Sequence, residues 1–139
     1  MVAKGESVPE TSSVRIRQSL HSDLKVAAAE LSELGGKVTM AGLLEEGIEG
    51  VLNTPLDSWV RWAKAGLDPV SVGDPSVSFR IRNDLSARLS VLAAHISRES
   101  HIDITKTHLL EVASRQVLAK ARKEIGEMKA LLKEIEHGG

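Results

Sequence analysis

Four arginines carry the most informative chemistry in this 139-residue chain because of where they stand. Arg15 and Arg17 alternate with Val14 and Ile16 in Ser13-Val14-Arg15-Ile16-Arg17. Arg80 and Arg82 alternate with Phe79 and Ile81 in Ser78-Phe79-Arg80-Ile81-Arg82. A period of two puts the apolar residues on one face of a strand and Ser13, Arg15 and Arg17, or Ser78, Arg80 and Arg82, on the other. A guanidinium is planar, permanently charged and offers five donors in a rigid fork. Paired arginines on one face therefore suit carboxylates, phosphates or the acceptor edge of a guanine.

No bond-making set accompanies them. The chain has no cysteine, which removes disulfides, thiolate catalysis and every zinc site built on cysteine. It contains neither G-x-S-x-G nor H-E-x-x-H. Gly35-Gly36-Lys37-Val38 approaches a phosphate loop but lacks the upstream glycine and the Ser/Thr after the lysine. His95, Glu99, His101, Asp103 and His108 cluster in sequence, with His95 and Glu99 spaced i, i+4, and read as solvated positions near a helix end. No enzymatic activity, cofactor or metal is expected. Aromatic residues are 2% of the chain (Trp59, Trp62 and Phe79), too few for base-stacking platforms. Hydrophobic residues at 42% and charged residues at 27% fit a folded soluble protein. No apolar run approaches the roughly 18 residues of a membrane span. Residues 1–12 are polar, carry Glu6 and Glu10, and are expected to form a disordered lead-in without a targeting signal. A cytoplasmic protein with no membrane partner is expected.

The arginine segments belong to a longer internal repeat. Val14-Arg15-Ile16-Arg17 recurs 65 residues later as Phe79-Arg80-Ile81-Arg82, and Leu20, Leu24 and Ala28-Ala29 recur as Leu85, Leu89 and Ala93-Ala94. One inserted residue moves the offset to 66, after which Thr39, Leu43-Leu44-Glu45 and Val51-Leu52 recur as Thr105, Leu109-Leu110-Glu111 and Val117-Leu118. Leu20, Leu24, Ala27, Ala28, Leu31 and Leu34 form a helical stripe, as do Leu85, Leu89, Leu92, Ala93 and Ile96. Ser19 and Asp84 are candidate N-caps; Gly35-Gly36 and Ser100-His101 are candidate helix ends. Thr39 and Thr105 read as N-caps of a second helix that buries Leu43, Leu44, Ile48, Val51 and Leu52, or Leu109, Leu110, Val112, Val117 and Leu118. Each unit, residues 13–53 and 77–118, is thus strand, helix, helix. One such unit of about 40 residues can neither satisfy a strand edge nor bury both helices. Two can. The expected fold is mainly α, with a short two-stranded antiparallel β-ribbon lying apolar side down on four interlocked helices and its arginines outward.

Two segments lie outside the repeat. Residues 54–76 form a linker in which Pro55, Leu56, Trp59, Val60 and Ala63 predict a short amphipathic helix ending at Gly66, followed by loops at Asp68-Pro69 and Gly73-Asp74-Pro75. Trp59 and Trp62 are expected to cover an exposed edge or a partner chain. Residues 119–139 extend the last helix. Leu118, Ala121, Ile125, Met128, Leu132 and Ile135 alternate spacings of three and four, a heptad seam that predicts self-association. Gly42, Gly47 and Gly50 inside the second helix point to a close crossing with another helix.

Strand–helix–helix units of this length, with basic alternation on the strand and a threonine leading the second helix, resemble the ribbon-helix-helix DNA-binding family, MetJ/Arc-like β-ribbon readers of the major groove. The resemblance covers Ser13–Leu52 and Val77–Leu118. Two units in one chain are similar to the tandem TraY-type accessory proteins of the plasmid-conjugation relaxosome. Many members carry a proline at the strand-to-helix step, where Arg17-Gln18 and Arg82-Asn83 stand here. The resemblance implies a tandem ribbon-helix-helix pseudo-dimer that binds double-stranded DNA sequence-specifically, as a relaxosome accessory protein or a transcriptional regulator. Ser13, Arg15, Arg17, Ser78, Arg80 and Arg82 would then meet base edges in the major groove. Backbone amides around Thr39-Met40 and Thr105-Lys106 would hold phosphates. The bound site would be an imperfect inverted repeat, and the assembly a homodimer of pseudo-dimers along the DNA, open to other relaxosome or regulatory proteins. The competing reading is a helical protein-interaction module, antitoxin-like or adaptor, working through the tryptophan linker and the C-terminal helix.

The formal net charge of −1 conceals a split. Residues 1–76 hold 7 Lys/Arg against 11 Asp/Glu, and residues 77–139 hold 11 against 8. The second repeat is therefore expected to grip an anionic partner harder than the first.

Overall fold

Alternating apolar and polar side chains produce strands β1 (Thr11–Arg17) and β2 (Ser76–Arg82) in the computed structural model, which describes residues 10–66 and 75–138. Most of the expected lead-in (residues 1–9) and the loops expected at Asp68-Pro69 and Gly73-Asp74 lie outside the described residues. The strands form a two-stranded antiparallel sheet whose register runs from Thr11↔Arg82 to Arg17↔Ser76. At its centre Val14 faces Phe79, two residues separated by the 65-residue offset of the repeat. Ser13↔Arg80 and Arg15↔Ser78 are consequently equivalent pairs. Val14, Ile16 and Ile81 are buried, and Val77 and Phe79 pack partly against the same core. The strands begin one or two residues earlier than alternation alone suggests, so Thr11, Ser12 and Ser76 belong to the ribbon rather than to the lead-in and linker.

Each strand passes straight into a helix, α1 (Gln18–Glu33) after β1 and, after β2, a helix spanning Asn83–Ser100. Ser19 and Asp84 are therefore not N-caps: they lie inside the first turns, and the cap positions fall on Arg17 and Arg82, without side-chain capping bonds. The ribbon does that work instead. The Gln18 N–H donates to the Pro75 carbonyl at 2.8 Å, and the Asn83 N–H to the Glu10 carbonyl at 3.0 Å. A ladder bond across the strands thus satisfies the first donor that a helix start leaves unpaired. Ser12 also hydrogen-bonds Asn83 across the strands.

The first helix of each half ends through left-handed backbone, at Gly35 (φ 108°) and at His101 (φ 60°). One serine then closes each interhelical loop. Ser32 Oγ donates to the Val38 carbonyl at 3.0 Å and accepts the Val38 N–H at 3.3 Å; Ser97 Oγ does the same with Ile104 at 3.0 and 2.9 Å. Six residues separate the partners in one loop and seven in the other, which places the inserted residue of the second repeat inside this loop. α2 (Met40–Leu52) follows with Thr39 as N-cap, its Oγ1 accepting the Gly42 N–H at 2.9 Å.

α3 (Leu56–Ala65) is the linker helix, and it packs on α4 (Asn83–Ser100). Trp59 is fully buried and its indole Nε1 donates to the Val51 carbonyl at 3.2 Å, whereas Trp62 is largely exposed and meets Trp59 edge to face. α5 (Lys106–Gly138) packs along α1 and α2. Ile125, 66 residues after Trp59, is buried within it. One core joins both strands and all five helices: Leu24, Leu44, Ile48, Leu85, Leu89, Ile96, Leu109 and Leu110 are essentially inaccessible. Leu34, Leu52, Leu92 and Val112 of the expected stripes are only partly buried. Of the three glycines in α2, only Gly47 sits at a tight helix crossing. A Cβ there would collide with the Ala113 carbonyl and lie 3.1 Å from Val117 Cβ, while Gly50 faces open space.

The heptad seam divides. Leu118, Ala121 and Ile125 are buried in the chain's own core and Met128 is partly buried, whereas Leu132 and Ile135 are exposed. No helix among the described residues is long and apolar enough to cross a membrane.

Candidate nucleic-acid interface

Strand alternation assigns Thr11, Ser13, Arg15 and Arg17 of β1 and Ser76, Ser78, Arg80 and Arg82 of β2 to the side of the ribbon away from the core, and all but Arg17 keep to it. Arg15 and Arg80 occupy equivalent positions and lie in equivalent ways. Arg15 Nε donates to Ser76 Oγ at 2.9 Å, Nη2 to the Ser76 carbonyl at 2.9 Å and Nη1 to Ser78 Oγ at 3.2 Å. Arg80 Nε donates to Thr11 Oγ1 at 2.8 Å and Nη2 to the Thr11 carbonyl at 2.9 Å. Thr11 and Ser76 are themselves 65 residues apart, so each guanidinium is laid across the ribbon by the same hydroxyl-and-carbonyl pair on the opposite strand. All these bonds are exposed, and such bonds are readily exchanged for water or a ligand acceptor.

Arg17 and Arg82 depart from the strand pattern. Periodicity alone puts Arg17 on the outer face beside Arg15, but its guanidinium grips the Glu111 carboxylate at 2.6 and 3.2 Å, and the two side chains are only 15% and 8% exposed. Arg115, one turn further along α5, takes the same carboxylate at 2.7 Å. Arg17 is thereby a clamp between the end of β1 and α5, and is not poised for a base edge in this arrangement. Arg82 remains half exposed. Its guanidinium makes a two-pronged bond with Asp84 at 2.7 and 3.0 Å and lies 3.6 Å from Glu49, while its backbone N–H donates to Glu45 Oε2 at 3.0 Å. The hydrogen bond and charge of Arg82 hold the Asp84 carboxyl below the usual carboxylate range, and Asp84 in turn raises the Arg82 guanidinium.

Glu45 and Glu111 were legible only as an acid that recurs beside a buried Leu-Leu pair. Each is the sixth residue of its helix, α2 or α5, and each bonds the strand end of the other half. At 1.5 Å of rise per residue, the start of each helix therefore lies within about 9 Å, along its axis, of the residue that holds the ribbon end. Thr39 Oγ1 takes the Gly42 amide. Thr105 and His108 cap reciprocally, with the His108 N–H reaching Thr105 Oγ1 at 3.3 Å and the Thr105 N–H reaching His108 Nδ1 at 3.0 Å. The amides of Met40 and Ala41, and of Lys106 and Thr107, are left as donors that the helices themselves cannot satisfy. The Met40 side chain packs against the core and Lys106 Nζ sits 2.7 Å from Ser86 Oγ, so these positions offer backbone rather than side chains.

The charges at the two ribbon ends do not follow the split between the halves of the chain. The β1 end gathers Arg17 and Arg115 around one carboxylate, Glu111; the β2 end sets Arg82 among Asp84, Glu45 and Glu49. One cation of the second repeat, Arg115, thus serves the strand end of the first. The histidines do not converge either. His108 caps α5, His101 turns the chain and His95 lies on α4, and no group of three or more His, Asp or Glu side chains among the described residues is placed to hold a metal ion. No family model, curated protein or solved structure matches the chain, so the geometry of the ribbon bears the functional argument alone.

Proposed function

We propose that the chain binds double-stranded DNA sequence-specifically, with the β1–β2 ribbon seated in the major groove. In this reading its two strand–helix–helix halves form a tandem ribbon-helix-helix pseudo-dimer about an axis through the Val14–Phe79 pair. The observation that carries the reading is the equivalence of Arg15 and Arg80. Each stands on the outer face of the only ribbon among the described residues, held by the same pair of groups on the opposite strand. Arg15 and Arg80 are two residues apart along the ribbon and one strand apart across it, or roughly 7 Å by 5 Å. Seven ångströms is about two base-pair rises, and the major groove, about 12 Å wide, admits two strands. Arginine can then bond bidentately to guanine O6 and N7, replacing its bonds to Ser76 or Thr11.

The amides at the starts of α2 and α5 flank the ribbon ends and suit phosphates, aided by the helix dipole. They fix register, while Arg15 and Arg80 supply base preference. The two halves differ at their ends, so the best site is an imperfect inverted repeat. Such a protein regulates transcription or assists a plasmid-transfer complex; both roles need only the ribbon. Selection of bound sites from random duplexes tests the reading. An enriched, imperfectly symmetric motif with guanines in both half-sites is expected, and the absence of any enriched duplex at low salt would refute it.

A further inference from the structure

Among the described residues, two apolar features outside the ribbon and core face each other in kind, one concave and one convex. The concave one is a groove of about 460 Å³ between α4 and the α2–α3 junction, floored by Leu52, Leu56, Val91 and Leu92 and edged by Arg88 and His95. Val91 is 58% exposed within it. The convex one is the end of α5. Lys129 reaches Glu30 at 3.0 Å near the end of α1, and every residue beyond it to Gly138 is exposed. Nine further residues of helix project about 13 Å past that contact. Leu131, Leu132 and Ile135, 57%, 47% and 63% exposed, fall on one face of this tail.

The two features match in charge as well as in polarity. At 100° per residue, Glu127 and Glu134 border one side of the tail's apolar stripe and Glu136 the other, with Lys133 at the back. The groove answers with a cation, Arg88, and a hydrogen-bonding imidazole, His95, two turns apart on α4 with Val91 between them. The chain's own tail does not reach this groove: it leaves along α1, and α1 shares no contact with α4 among the described residues.

We propose that the α5 tail of one copy seats in the α4 groove of a second copy, apolar stripe on Val91 and Leu92 and carboxylates on Arg88 and His95. This contact joins two different surfaces, unlike the self-pairing of a coiled-coil seam. Reciprocal insertion closes a twofold pair, and one-way insertion extends a row of chains. Leu118, Ala121 and Ile125 take no part, being committed to the chain's own core. The inference stands apart from the DNA reading, because neither surface includes ribbon residues.

Sedimentation equilibrium of the full chain tests it. The wild type associates, and Leu132→Glu and Val91→Glu each weaken association at least tenfold while keeping the helical circular dichroism. An equimolar mixture of the two variants recovers pairs, because one chain retains an intact tail and the other an intact groove. Arg88→Glu also weakens association, and adding Glu134→Arg and Glu136→Arg to the same chain restores it; this pair of measurements stands even if Val91→Glu fails to fold. A monomeric wild type overturns the proposal. So does a Val91→Glu chain that associates like wild type, which would leave tail against tail, or a mixture that recovers nothing.

Discussion

Arg17, the last residue of the first strand, closes a two-pronged ion pair on Glu111, in the second turn of the last helix and 94 positions away. Arg115 takes the same carboxylate, so the cluster keeps one positive charge in excess. The pair locks the end of β1 to the helix whose first amides are proposed to hold a phosphate.

Removing Glu111 should be expensive. Glu111→Ala leaves Arg17 largely buried without its main acceptor and is expected to lower stability by about 3 kcal/mol, the scale on which an enclosed ion pair loses one partner. Replacing both residues, Arg17→Met with Glu111→Leu, is expected to recover most of that loss. Urea titrations of the three chains check both statements.

Arg15→Ala and Arg80→Ala should behave in the opposite way. Their guanidiniums are exposed and hydrogen-bonded only to ribbon atoms, so unfolding midpoints are expected to move little. Specific duplex affinity is expected to fall by about 1–3 kcal/mol, with relaxed base preference at one position in the corresponding half-site. Arg17→Ala should show the converse pattern, lost stability with retained preference among the duplexes it still binds. Stability and site-selection measurements on the same variants separate the two roles.

Asp84 restrains Arg82 and adds negative charge beside a face proposed to meet phosphates. Asp84→Asn is expected to tighten binding to duplexes of any sequence and to steepen the fall of log affinity with log salt by up to about one charge equivalent, or roughly 0.9 in slope. Titrations at several salt concentrations measure that slope.

Gly47 and Gly50 lie one turn apart in α2 and should respond in opposite directions to alanine. Gly47→Ala drives a methyl into the Ala113 carbonyl at the α2–α5 crossing and is expected to destabilise by about 1–3 kcal/mol. Gly50→Ala meets open space and is expected to stabilise by about 0.5–1 kcal/mol. Thermal unfolding of the two variants distinguishes a packing glycine from one that merely weakens its helix.

Local signals carried most of the architecture because each was short-ranged. Alternation marked both strands, 3.6-residue spacing marked the helices, and Thr39 capped α2 as its type and position implied. Ser19 and Asp84 misled because a long-range bond, from Gln18 or Asn83 to a carbonyl of the opposite strand, took over a task that local side chains usually perform. The seam on α5 misled in part. Periodicity reports an apolar stripe but not its partner, and the first half of this stripe turned onto α1 and α2.

The repeat was likewise readable, and with it the central arginine pair, since a 65-residue offset places Arg15 and Arg80 alike whatever the tertiary arrangement. Only the folded chain decided which arginines stay available. Arg17 and Arg82 are equivalent in sequence, yet one meets Glu111 and Arg115 and the other Asp84, Glu45 and Glu49. An ion pair depends on separations of a few ångströms between residues that can stand 94 positions apart, and no period in a sequence encodes such a distance.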